Sequence, residues 1–181
     1  MKDWNIVVTV HEHEHCYRQA SRFLKTFGEL GNTDFFNVLT LRVANIEVFL
    51  KQLHQQFDEE PQLFDCIARV LPVSHTFSYK TPEEFEAKAE ALTTPWGVKL
   101  AGTRFHVRMH RRGFKGRMSS QEEEKNLADI LMCLLAERGE TASVDFYNPD
   151  FIVVIETIGQ QAGVSLWSRE ELLRYPLIKL D

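Results

Sequence analysis

Residues Arg104–His110 read Arg-Phe-His-Val-Arg-Met-His, a strict alternation of polar and apolar side chains. A period of two fits a strand and does not fit a helix. Phe105, Val107 and Met109 therefore share one face, suited to a core. Arg104, His106, Arg108 and His110 share the other, and the expectation is that they present a basic row outward. The stretch continues through Arg111, Arg112, Lys115 and Arg117, with Gly113 and Gly116 flanking a loop that carries Phe114. From Arg104 to Arg117 there are six Lys or Arg side chains and no acid. The chain as a whole has 21 Lys and Arg against 26 Asp and Glu, a formal charge of −5. Positive charge concentrated on an acidic body attracts an anion at one place.

The remaining composition narrows the class. The chain has 181 residues, 44% hydrophobic and 26% charged, which suits one large or two small globular domains. No apolar run is long enough to span a bilayer. The opening Met-Lys-Asp-Trp-Asn-Ile-Val-Val lacks a secretory core, so a cytoplasmic protein with no membrane partner is expected. Cys16, Cys66 and Cys133 are odd in number, far apart and set among apolar neighbours. They read as reduced, mostly buried thiols.

An α/β (α+β) fold follows from the order of elements. Asn5–Val10 is a β-branched run. Cys16, Ala20, Phe23, Leu24, Phe27 and Leu30 fall at helical spacing, with Gly28 and Gly31 at the helix end. Phe35–Val43 reads as extended, Ile46–Phe57 as a second amphipathic helix stopped by Pro61, and Phe64–Val73 as a strand. This β-α-β-α-β order suggests a split β-α-β, ferredoxin-like domain over residues 1–78. A second domain is expected over 79–181. Thr81-Pro82-Glu83-Glu84 opens a helix with a capping box, and 93–103 is a loop before the basic strand. Ser119 or Ser120 caps a long helix lined by Leu127, Ile130, Leu131, Leu134 and Leu135. Phe151–Ile155 is a covered central strand, Gly163–Trp167 another, and Arg169–Tyr175 a final turn of helix.

Four motifs in the second half, taken in order, resemble those of the THUMP domain, an RNA-binding module of tRNA-modifying proteins. They are Phe105-His106-Val107-Arg108-Met109-His110-Arg111, the helix start Ser119-Ser120-Gln121-Glu122, the turn Asp145-Phe146-Tyr147-Asn148-Pro149-Asp150, and the strand Phe151–Ile158 with Glu156. In the first half, Asn5–Val10, Gly28-Glu29-Leu30-Gly31 and Ile67–Val73 look like the ferredoxin-like domain that accompanies THUMP. The layout is similar to stand-alone THUMP proteins that assist tRNA cytidine acetylation, although the long polar insertion and basic tails of eukaryotic members are missing. The resemblance implies a non-catalytic adaptor with no cofactor of its own. It would grip the acceptor stem and 3′ end of tRNA and present it to a separate enzyme, such as a cytidine acetyltransferase. The RNA-binding set it implies is Arg104, Arg108, His110, Arg111, Arg112, Phe114, Lys115 and Arg117. Arginine suits phosphate because its planar fork donates two bonds at once. Phe114 either stacks on an unpaired base or folds back on the sheet, and the sequence leaves both open.

Other chemistry is thinly represented. Ser119, Ser120, Ser143 and Ser165 lack a nucleophile-elbow setting. Glu122, Glu123 and Glu124 crowd a helix start, where they suit the dipole but repel an anion. His11, His13 and His15 alternate with Glu12 and Glu14 and would share a face if extended. Their plain reading is a polar loop, with no metal expected. The alternative is a metal-dependent enzyme built on that cluster.

Overall fold

The computed structural model describes residues 3–180 and divides into two units. The first comprises residues up to Val73 together with Arg174–Lys179, and the second Ser74–Leu173 with Leu180. No helix among the described residues is long and apolar enough to cross a membrane.

The first unit runs β1 (Ile6–Val10), α1 (Glu14–Leu24), β2 (Glu29–Asn32), β3 (Val38–Arg42), α2 (Ile46–Glu59) and β4 (Ile67–Pro72). The strands lie in the order β2-β3-β1-β4, and every neighbouring pair is antiparallel. This is the split β-α-β pattern of a ferredoxin-like sandwich. Cys16, Ala20 and Leu24 of α1 and Phe49, Leu50 and Leu53 of α2 are buried, as are Ile6, Val8, Leu39, Leu41 and Val70 of the sheet. Asn5 fastens one end, accepting from Val43 N and donating to Val43 O, both at 2.9 Å.

Three expectations change here. The first helix stops at Leu24, and Leu30 and Gly31 belong to β2. A Cβ at Gly28 would overlap the Arg42 carbonyl oxygen, so this glycine serves the approach of β2 to β3, not a helix end. The third concerns the thiols: Cys16 and Cys66 are joined as a disulfide, and Cys133 is exposed. The pairing is hidden in sequence because the partners are 50 residues apart. The β1–β4 ladder brings them together, with Val10 opposite Ile67 and the His11 amide donating to Cys66 O at 3.0 Å.

The second unit runs β5 (His75–Ser78), α3 (Pro82–Thr93), α4 (Gly97–Leu100), β6 (Arg104–His110), α5 (Ser120–Glu137), β7 (Ser143–Val144), β8 (Phe151–Ile158), β9 (Gln161–Ser168) and α6 (Arg169–Arg174). The sheet order is β5-β9-β8-β6-β7, with β6 parallel to both neighbours. Residues 75–78, expected in the first domain, pair with β9 and so belong to this sheet. Residues 174–179, expected in the second domain, group with the first unit, where Val70 N donates to Leu177 O at 2.9 Å. Local capping signals set the two main helices: the Thr81 hydroxyl accepts from Glu84 N at 3.2 Å, and Ser119 from Glu122 N at 3.4 Å. Phe105, Val107 and Met109 share one core with Phe85, Ala89, Leu127, Leu131 and Leu135.

Candidate nucleic-acid interface

The opposite face of β6 is not an open basic row. His106 is 9% exposed, and Val154 and Glu156 of β8, which stand in register with Arg108 and His110, are fully buried. The basic residues instead separate towards the two ends of the strand, each with its own partners.

At the first end, Arg104 is held by acids. Its Nε and Nη2 donate to the two Asp150 oxygens at 3.1 and 2.9 Å, and its backbone N–H donates to Asp150 at 2.9 Å. Arg169 adds a contact to the same carboxylate at 3.2 Å and donates to the carbonyls of Asn148 and Pro149. Hydrogen bonding to the Arg104 side chain, then to its amide, drives the Asp150 pKa down to about 2. Asp145 closes its own turn by accepting from the amides of Tyr147 and Asn148 at 2.8 and 3.0 Å. The Asp145–Asp150 motif is therefore a clamp on two arginines. It leaves Phe146 and Tyr147 at the surface, 67% and 99% exposed.

At the second end, the buried Glu156 carboxylate gathers one cation and one imidazole. Arg112 Nη1 bonds one oxygen, and His110 Nδ1 lies 2.8 Å from the other. Arg108 Nε donates to Leu180 O at 3.1 Å. Arg111 bonds the Gly113 carbonyl through Nη1, and its Nε is buried with no partner among the described residues. Beyond them, Lys115 and Arg117 are exposed.

The loop that carries these last two cations is fixed at its base. Arg112 N donates to Thr157 Oγ1, and Gly159 N to Arg112 O, both at 2.8 Å. Gly113 sits at φ +103, and a Cβ there would come within 3.0 Å of Gly159 Cα, so only glycine fits the close approach. Tyr79 bonds the Gly159 carbonyl at 2.9 Å, and burial pushes its phenol pKa up, which keeps it a donor. Phe114, at φ 52, folds back with its ring 4.9 Å from that of Tyr79, and the Arg117 guanidinium lies over it at 4.7 Å. Of the two readings of Phe114, folding back is the one observed. Two of the three acids at the start of α5 are also accounted for. Glu124 accepts from Met109 N at 2.7 Å, on the side of β6 that two-residue β7 leaves open. Glu123 is 6% exposed, and its pKa is raised to about 7 by burial first and then by Glu86, Glu122 and Glu83.

One cationic surface of the first unit is not among the residues expected from sequence. Arg18, Arg22 and Lys25, spaced along and just past α1, line an open groove of about 510 Å³ with Tyr17, Ser21, Leu30 and Asn32. Its signal in the sequence is a cationic i, i+4, i+7 repeat opposite the Cys16, Ala20, Leu24 stripe, which the apolar stripe overshadows.

Residues 79–166 match the family model of the THUMP domain. This chain carries a THUMP domain. The fold of the described chain is similar to PH1313 from Pyrococcus horikoshii Ot3, with a TM-score of 0.63 and 13% identity over 92% of this chain and 55% of that one. It is also similar to TrmN from Thermus thermophilus, with a TM-score of 0.58 and 15% identity over 90% and 44%. A 4-thiouridine synthetase solved as an RNA complex with bound ATP gives 0.54 and 14% over 92% and 42%. At these identities the likeness concerns the fold, and the chain spans only about half the length of those structures. No curated protein matches the chain in sequence.

Proposed function

We propose that this chain is a non-catalytic, cytoplasmic tRNA-binding adaptor that holds the acceptor stem and 3′ end for a separate modifying enzyme. The observation that supports this most is the THUMP match over 79–166, with Lys115 and Arg117 exposed on a glycine-bounded loop of an otherwise acidic chain. In this reading the predicted basic set divides its labour. Lys115 and Arg117, with the outer donors of Arg108 and Arg111, meet phosphate. Arg104, His110 and Arg112 are spent on Asp150 and Glu156 and position the scaffold. Recognition rests on backbone charge and shape, as RNA requires. A modifying enzyme of the cytidine acetyltransferase class supplies the chemistry, and the adaptor raises the local concentration of the target base.

The test is a titration of the full chain with tRNA bearing an intact or a trimmed 3′ end. Tighter binding to the intact tRNA is expected, and equal binding would remove the acceptor-end reading. Lys115→Ala with Arg117→Ala should weaken binding and flatten its salt dependence by about one logarithmic unit per lost phosphate contact. The chain alone should acetylate no cytidine in the presence of acetyl-CoA, ATP and tRNA, and product formed without a partner enzyme would overturn the adaptor reading.

A further inference from the structure

The histidine-rich segment before α1 lies beside the disulfide, and the two features join into one site. Cys16 and Cys66 are 1% and 2% exposed, while His15 is exposed beside them. His15 Nε2 is 3.7 Å from Cys16 Sγ, and one ligand atom from each of His15, Cys16 and Cys66 lies within 4.8 Å of the others. Gln19 Oε1 lies 3.5 Å from Cys66 Sγ. Tetrahedral zinc, with bonds of about 2.3 Å to sulfur and 2.0 Å to nitrogen, needs its ligand atoms roughly 3.3–3.8 Å apart. The imidazole already stands at that spacing from Cys16 and within 4.8 Å of Cys66, so the main change a metal needs is that the two sulfurs separate.

We propose that, with Cys16 and Cys66 reduced, His15, Cys16 and Cys66 bind a zinc ion, and that disulfide formation closes the site. Two thiolates and an imidazole select a soft or borderline cation over magnesium or calcium, which take oxygen ligands. Gln19 Oε1, 3.5 Å from Cys66 Sγ, supplies a fourth donor, and the exposed side of His15 is the route of entry. The chemistry balances through a dithiol. The dithiol gives two electrons and two protons to the Cys16–Cys66 bond and becomes a disulfide, leaving two thiols in the protein. Zinc then displaces both thiol protons on binding. Exchange with a disulfide runs the first step backwards and expels the ion. The predicted set His11, His13 and His15 thus contributes one ligand, because the backbone places the sulfurs, not the other imidazoles, around His15. The His13 ring lies parallel to that of His15, with centroids 5.9 Å apart.

The test uses the untagged full chain, reduced with a dithiol, desalted without oxygen and titrated with cobalt(II) as a spectroscopic substitute. One equivalent should bind with a sulfur-to-cobalt charge-transfer band, and zinc should bleach that band. The oxidised chain should give none. Cys16→Ser and Cys66→Ser should abolish the band, His15→Ala should weaken binding by an order of magnitude or more, and Cys133→Ser should change nothing. If a cysteine variant fails to fold by circular dichroism, the comparison of reduced wild type with His15→Ala decides. A folded, reduced wild type without the band would overturn the site, as would a band indifferent to His15 or dependent on Cys133. None of these readouts involves RNA, so the site stands or falls separately from the adaptor reading.

Discussion

Glu156 decides what the basic end of β6 is free to do. A carboxylate with no solvent exposure has to be paired, and here Arg112 is the cation drawn to it, with the His110 ring beside it. Glu156→Ala should destabilise the chain by about 3–5 kcal/mol, because it takes the carboxylate away from the part-buried Arg112 guanidinium, and urea denaturation would measure this. Glu123 gives a pH signature of the opposite kind to that of a salt-bridged acid. Its folded pKa of about 7 lies above the ordinary carboxyl value of 4.5. The folded state therefore holds the proton more tightly, and stability is highest below the unfolded pKa and is lost as pH rises through 7. Glu123→Gln should remove that loss, gaining on the order of 1–2 kcal/mol over wild type at pH 8 and little at pH 4, as read from paired denaturation curves. At this scale the sequence shows where charge is concentrated. It does not show which charges are already neutralised, because Asp150 and Glu156 lie more than forty residues beyond Arg104 and Arg112, the arginines of the basic segment that they hold.

The elements legible in sequence are those with local punctuation. Thr81 and Pro82 open α3, Ser119 opens α5, and strict alternation defines β6, so each of these is specified within a few residues of itself. β2 is concealed because Leu30 continues the spacing of the α1 stripe, and only the approach of Gly28 to Arg42 shows that the chain has turned back. β5 is hard to place because its partner, β9, lies some ninety residues later. Leu131→Ala tests the register of α5. Leu131 has no solvent exposure, and its truncation should cost about 2–5 kcal/mol, seen as a lowered midpoint of thermal or urea unfolding. Gly113→Ala should destabilise the basic loop through both its positive φ and the Gly159 contact, and faster amide exchange at residues 112–118 would report it.

For the molecule as a whole, the two-unit plan is legible because each half has its own apolar stripes and sheet. The seam is less so, since only Val73 and Ser74 separate β4 from β5. If the adaptor reading holds, salt should weaken tRNA binding steeply even though the chain is acidic, and a titration over ionic strength would show whether a few exposed cations carry the affinity. The placement of β5 also bears on how the protein can be cut. The THUMP match begins at residue 79, one residue after β5 ends. A recombinant fragment trimmed to that boundary would discard the strand that covers β9 and leave β9 as a bare edge, a ready template for intermolecular pairing. Starting the fragment at Ser74 keeps the edge covered, so five residues should separate a monodisperse sample from an aggregating one.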